Sequence, residues 1–304
     1  MIKKSLINIY YNNNKLIISS KVELDEIKIN TYNNKSLLST HPISAKILKN
    51  TDRWVIPFSN FNIKYSGLLC EIHDKNNDVL HSQYVDFERR LSINISGNLN
   101  HYDDNYMEFQ KMVDDYKGKV DVFVHTWYNM GKNNIDNFIK LYNPKSIIVD
   151  DYNNVKKTFN HYIDLFGGKE STLSMFYSMS RANDIKEQYA LKNKVVYDFS
   201  MRYRTDIILN DFNINECLQY LDNEHGLVIP CNNSFKFFFG ISDILFIGRK
   251  NEMNITQRIF DDLIVLNKKN VNILSLPNEH ILLKQLENYN IKYKIYDVEY
   301  DLKR

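Results

Sequence analysis

Leu91-Ser92-Ile93-Asn94-Ile95-Ser96-Gly97-Asn98-Leu99-Asn100 is the stretch that decides the architecture. Its first five residues read as a buried strand, and the small residue and glycine after them let backbone approach a neighbour closely. Beyond Asn100 the chain alternates helix and strand. Residues 103–116 read as a helix with Tyr106, Phe109, Met112, Val113 and Tyr116 on one face. Residues 120–125 form a second strand, 134–142 a helix and 146–150 a third strand. Helices over 153–165 and 171–191 come next, the second capped by Ser171 and carrying Leu173, Phe176, Tyr177 and Ser180 on a stripe. Strands are expected at 195–203, 227–230, 244–248 and 293–298, with helices at 252–266 and 278–289. This alternation predicts an α/β layered domain with a mostly parallel sheet. Ligands of such sheets bind outside the carboxyl ends of the strands.

Before residue 90 the texture differs. Short β-rich runs at 6–11, 15–20, 26–31, 54–58, 62–65, 68–73 and 79–87 alternate with polar breaks such as Asn12–Asn14 and Asn76-Asn77. That spacing suits a small antiparallel β-sandwich. Two domains are therefore expected: an accessory sandwich over 1–88 and an α/β domain over 89–304.

The 304 residues exceed the roughly 150 of one average domain, in line with that division. Lys and Arg number 39 against 37 Asp and Glu, so the net charge of +2 offers no broad footprint for nucleic acid. Apolar residues at 43% and charged ones at 25% describe a folded chain rather than a disordered one. The longest apolar stretch, 235–248, contains Lys236 and Asp243 and is shorter than the ~20 residues of a membrane helix. The amino terminus reads as a strand and a turn rather than a secretion signal, so a cytoplasmic protein is expected. Cys70, Cys217 and Cys231 are too scattered for a zinc site or a disulfide frame.

Strand ends select the residues that could carry chemistry. Ser96, Gly97 and Asn98 close the first strand, where a nucleotide could approach the backbone; an ordinary strand-to-helix turn is the competing reading. His125-Thr126-Trp127 closes the second, and an aromatic face there suits a base or a sugar, although a strand-end histidine is more often a structural donor. In Tyr197-Asp198-Phe199-Ser200-Met201-Arg202-Tyr203-Arg204-Thr205-Asp206, the three charged residues Arg202, Arg204 and Asp206 alternate onto one face of a strand. Such a set is costly to bury unless it meets a partner. Two guanidiniums and a carboxylate suit a diphosphate and its divalent cation, and an internal Arg–Asp pair bracing a turn is the alternative. Asp243 precedes an apolar strand and is either a base or a turn cap. Glu279 and His280 open an amphipathic helix; the helix dipole alone favours Glu279, and His280 is a candidate metal or phosphate ligand.

Five motifs in order carry a resemblance. Ile95-Ser96-Gly97-x-Leu99, Asp121-Val122-Phe123-Val124-His125-Thr126-Trp127, the run from Leu173 to Met179, Tyr197-Asp198-Phe199 with Arg202, Arg204 and Asp206, and Ser242-Asp243-x-Leu245-Phe246-Ile247-Gly248 together resemble bacterial GT-A-type glycosyltransferases of capsule and lipopolysaccharide synthesis. The resemblance covers about residues 90–298 and leaves the sandwich outside it. It implies a GT-A-like (Rossmann-like) catalytic domain that moves a sugar from a nucleotide-diphosphate donor to a surface glycan, lipid-linked or free. It also implies a protein that works in the cytoplasm or at the inner face of the membrane, with at most peripheral contact.

In that family an Asp-x-Asp motif leads to the donor and its Mn²⁺ or Mg²⁺. Here Arg204-Thr205-Asp206 stands in its place, with Arg204 where the first carboxylate would be. The resemblance then implies Asp206, with His280, as metal ligands, and Ser96, Gly97, Asn98, His125, Trp127, Arg202 and Arg204 around the nucleotide and diphosphate. Asp243 or Glu279 would be the base. Asn100 stands where the family often has Arg, a contact that Arg181 could supply. Transfer of a phospho-substituent to the same kind of glycan, and non-catalytic carbohydrate binding, are the alternatives.

Overall fold

The computed structural model describes residues 7–12, 15–20, 26–33, 36–44, 53–57, 67–73, 79–86, 89–116, 118–128, 135–210, 212–223, 225–231, 241–269, 272–298 and 300–303. The chain divides into two compact units, Met1–Glu88 and Arg89–Arg304.

The first unit holds β1 (Ile7–Asn12), β2 (Lys15–Ser20), β3 (Glu26–Asn33), β4 (Ser36–Ser44), β5 (Arg53–Pro57), β6 (Gly67–His73) and β7 (Val79–Asp86). They form two antiparallel sheets, β1-β2-β5 and β4-β3-β6-β7. Strand β4 was not expected. It contains Pro42, which cannot donate to a ladder, and it lies at the edge of its sheet, where that loss is tolerated. The strand expected at 62–65 falls outside the described residues.

The second unit runs β8 (Arg90–Ser96), α1 (Tyr106–Asp115), β9 (Lys119–Trp127), α2 (Ile135–Tyr142), β10 (Ser146–Asp150), α3 (Tyr152–Phe166), α4 (Glu170–Asn193), β11 (Phe199–Tyr203), β12 (Ile207–Leu209), α5 (Ile214–Asn223), β13 (Leu227–Cys231), β14 (Phe246–Arg249), α6 (Lys250–Gln257), α7 (Ile259–Lys269), α8 (Asn278–Asn288), β15 (Tyr293–Asp297) and β16 (Tyr300–Leu302). Seven of these strands make one sheet, in the order β10-β9-β8-β11-β14-β13-β15. Only β14 runs antiparallel to its neighbours. The expected mostly parallel sheet is therefore present.

Central strand β8 shows why the sheet is buried on both sides. Leu91, Ile93 and Ile95 face one core, together with Phe109 and Met112 of α1, Phe138 of α2 and Leu218 of α5. A second core joins Phe159 of α3, Leu173 and Phe176 of α4, Leu263 of α7 and Leu282 of α8. The alternate residues of β8 are polar yet buried: Ser92 meets Ser200 of β11 at 2.5 Å, and Asn94 donates to Gln257 of α6 at 2.6 Å. Lys186 of α4 joins this layer, donating to Asn183 at 2.8 Å, Asn254 at 2.5 Å and Ser200 at 3.3 Å. Burial holds its amine down to about 8.

Several elements differ from expectation. Helix α4 begins after Lys169, and Ser171 lies inside its first turn rather than capping it. The expected helix over 252–266 is two helices parted at Arg258. Strand β11 starts only at Phe199, because the chain leaves α4 through a left-handed Lys194 and Val195 still bonds back to Ala190. Helix α5 and the antiparallel pair β12–β16 were not foreseen.

Candidate functional site

The strand order reverses between β8 and β11. The chain fills β8, β9 and β10 outward on one side and then returns to start β11 on the other. At such a reversal the two carboxyl ends part, and the crevice between them is where open α/β sheets hold their ligands. Ser96 and Gly97 stand at one lip, Tyr203 and Arg204 at the other, with Ile95 and Tyr203 in register.

Gly97 has φ +101°, a conformation that side chains rarely adopt, and a Cβ built on it would meet no atom of the described residues within 4 Å. Its N–H bonds His125 O at 3.1 Å. The rim is open at this point. Ser96 is 8% exposed and its hydroxyl has no hydrogen-bond partner among the described residues. Asn98 is exposed. Thr205 Oγ1 donates to Asn100 O at 2.8 Å and Asn105 Nδ2 donates to Thr205 O at 2.8 Å, so the loops after β8 and β11 are stitched together.

The charged trio divides. Arg202 is 1% exposed; its Nη1 donates to the backbone carbonyl of Asp243 at 2.6 Å, and its guanidinium lies 5.9 Å from the ring centroid of Phe246. Burial pulls its pKa down to about 10, against the pull of Asp243, and it stays charged. It lies beneath the rim and braces the turn before β14. Arg204 and Asp206 form the internal pair that was the alternative reading: Nε reaches Oδ1 at 3.0 Å and Nη2 reaches Oδ2 at 2.5 Å. Burial opposes the charge of Arg204, but the Asp206 carboxylate outweighs it and holds the guanidinium above its ordinary range.

Asp243 is 5% exposed and its Oδ2 accepts from Asn278 Nδ2 at 3.4 Å. Its charge acts on Arg202, Arg204, Tyr300 and Glu279. Burial first, and Asp243 second, push Glu279 above the usual carboxylate range. The antiparallel run of β14 brings Asp243, just before its start, to the rim where the parallel strands end.

The residues at the end of β9 lie deeper. His125 is fully buried, with Nδ1 2.6 Å from Ser178 Oγ and Nε2 3.1 Å from Asp150 Oδ2. Burial lowers its pKa, so the ring is neutral. A neutral imidazole has one donor, which the carboxylate requires, so Nε2–H points to Asp150 and the Ser178 hydroxyl donates to Nδ1. Asp150 also accepts from Tyr177 OH at 2.9 Å and lies 3.5 Å from Arg181 Nε. The His125 bond, with Tyr177 and Arg181, holds its carboxyl down to about 2 despite burial. Arg181 lies in ion-pair range of Asp150 and, at 3.8 Å, of Asp184. Trp127 is 2% exposed: Tyr177 stacks on it at 5.5 Å, and Tyr152 and Phe159 meet it edge-on. His125 and Trp127 therefore support the rim from within.

The implied metal ion finds no ready donor set. Both oxygens of Asp206 are taken by Arg204, and among the described residues no group of three His, Cys, Asp or Glu could hold an ion. His280 lies half-buried in the first turn of α8, where its charge acts on neighbouring Glu279. A cation at Asp206 would share that carboxylate with the Arg204 guanidinium, whose charge opposes it.

Asp150 and Asn278 are the residues sequence reasoning passed over. Asp150 ends an expected strand, so the strand-end rule applied to Ser96 and His125 also marked it. Asn278 adjoins Glu279 at a helix start, and only the fold reveals that it faces Asp243.

The sheet defines an open α/β protein with a topological reversal between β8 and β11. No protein-family model matches the chain, and no curated protein matches it in sequence. Among solved structures, it is similar to a glycosyltransferase involved in glycosylation of the major capsid of PBCV-1, at 10% identity over 68% of this chain and 81% of that one, TM-score 0.37. It is similar to a putative nucleotide-diphospho-sugar transferase from Desulfovibrio desulfuricans, at 10% identity over 68% and 79%, TM-score 0.37. Mouse xyloside xylosyltransferase 1 gives 10% identity over 69% and 85%, TM-score 0.39. Likenesses this distant carry neither activity nor substrate to this chain.

Proposed function

We propose that the second unit is a glycosyltransferase that binds a nucleotide-diphosphate sugar at the β8–β11 reversal and passes the sugar to a hydroxyl acceptor. One observation carries the reading. At the reversal that the Gly97 turn borders, the fold brings the neighbours Arg204 and Asp206 together with Asp243, a carboxylate from a distant stretch of sequence. Ser96, Gly97 and Asn98 would border the nucleotide, and Arg204 would exchange part of its bond to Asp206 for the diphosphate. Asp243 would take the proton of the acceptor hydroxyl as the oxygen attacks the sugar. Glu279, whose carboxyl burial and the Asp243 charge raise above the usual range, is the alternative base.

The finer reading, a bacterial capsule or lipopolysaccharide acceptor handled in the cytoplasm or at the inner membrane face, rests on the ordered sequence motifs. No helix among the described residues is long and apolar enough to cross a membrane. The resemblance also implies Mn²⁺ or Mg²⁺, which Asp206 would hold beside the Arg204 guanidinium or in its place.

The test is release of nucleoside diphosphate from a panel of UDP-, GDP-, CDP- and dTDP-sugars, alone and with glycan acceptors. Turnover of one donor, lost in Asp243→Asn, supports the reading. A panel without turnover or binding refutes it.

A further inference from the structure

Asn278, the first residue of α8, has its whole amide engaged beside the proposed base. Its Oδ1 accepts from Thr172 Oγ1 at 2.7 Å, and its Nδ2 reaches Asp243 Oδ2 at 3.4 Å and Met175 Sδ at 3.7 Å. Thr172 and Met175 lie in the first two turns of α4, so one amide ties α4 and α8 to the turn before β14. A hydroxyl can donate to the amide oxygen, whereas an ionised carboxylate can only accept. The Asp243 carboxylate thus requires N–H, not C=O, on its side, and the Thr172 hydroxyl, donating to Oδ1, anchors the amide in that orientation. Arg202 fixes the same residue from its other side, through the backbone carbonyl at 2.6 Å.

We propose that Thr172 and Asn278 are positioning residues for Asp243 in sugar transfer. The inference rests on the reading of Asp243 as the base. In the step they serve, the acceptor oxygen forms a bond to the anomeric carbon and its proton passes to Asp243. The bond from that carbon to the diphosphate oxygen breaks, and the nucleoside diphosphate leaves with the electron pair. Only a carboxylate held at hydrogen-bond reach of the acceptor can take that proton. Without the Thr172 anchor the amide would no longer hold the carboxylate in one place. Thr172 is buried within α4, so its effect reaches the reaction only through Asn278.

The experiment compares Thr172→Val, which removes the hydroxyl and keeps the shape, with Thr172→Ser, which keeps the hydroxyl. Asn278→Asp, acceptable at a helix start, is the second variant and sets a carboxylate against Asp243. Each full-length variant is assayed with the nucleotide sugar that wild type turns over best, beside a melting curve. We expect Thr172→Val and Asn278→Asp to lower kcat about 10- to 100-fold, as small misplacements do, with KM for the donor nearly unchanged. Thr172→Ser restores kcat. If both variants melt lower but keep wild-type kcat per folded molecule, the residues are merely structural and the inference is overturned. If wild type turns over no donor, the transferase reading itself fails, and this inference with it.

Discussion

Arg204 donates through both Nε and Nη2 to the carboxylate of Asp206, two residues along the same chain. The pair closes the carboxyl end of β11 at the lip of the proposed donor site. Both side chains are mostly buried, so removing one partner strands the other. Asp206→Asn should destabilise the fold by about 1–3 kcal/mol, the usual cost of an unsatisfied charged group. In a urea-unfolding cycle with Arg204→Ala, the double variant should be less destabilised than the sum of the singles. Simple additivity would show that the pair contributes nothing.

The same bond bears on metal. Because Arg204 occupies both oxygens of Asp206, Mn²⁺ alone should leave the melting temperature of the wild-type protein unchanged. A clear rise at sub-millimolar Mn²⁺, absent in Asp206→Asn, would show that the cation binds Asp206 despite the guanidinium.

His125 gives a pH dependence with a definite sign. Its folded pKa lies below the ordinary value of about 6.5, so the unfolded chain binds the extra proton first. Stability should therefore fall as pH drops below about 6.5. Asp150, held down to about 2 from 3.8, adds a second loss as pH falls from about 4 toward 2. Urea midpoints for wild type and His125→Gln should diverge in slope between pH 7 and 5, wild type being steeper. Parallel curves would mean that His125 titrates alike in both states.

The sheet and most helices were legible because buried strands and amphipathic helices leave their periods in sequence. What escaped was set by neighbours. Helix α5 carries a cap, with Asn213 Oδ1 accepting from Asn215 and Glu216 N–H, but Asn is so common in this chain that the signal does not stand out. The reversed direction of β14 leaves no mark in an apolar run, since either direction buries both faces. At the site, alternation placed Arg202 and Arg204 on one face but not at one depth. Arg202 faces Phe246 and the Asp243 carbonyl inside, whereas Arg204, just past the strand, turns to Asp206. Trp127 read as a platform for a base because sequence does not show that Tyr177, 50 residues later, returns to cover it.

The central claim is that a nucleotide-diphosphate sugar binds at the β8–β11 reversal, against Gly97. The direct measurement is a thermal shift of wild type and Gly97→Val against UDP, GDP, CDP and dTDP and their sugars. The substitution costs roughly 1–3 kcal/mol of backbone strain at this φ, and its Cβ meets no atom of the described residues within 4 Å, so a melting curve of the ligand-free variant accompanies the measurement. Its side chain would occupy the open space at the rim. The account predicts that one nucleotide series raises the melting temperature of wild type and not of Gly97→Val. Equal shifts in both proteins would place the nucleotide elsewhere, and no shift with any nucleotide would contradict the claim outright.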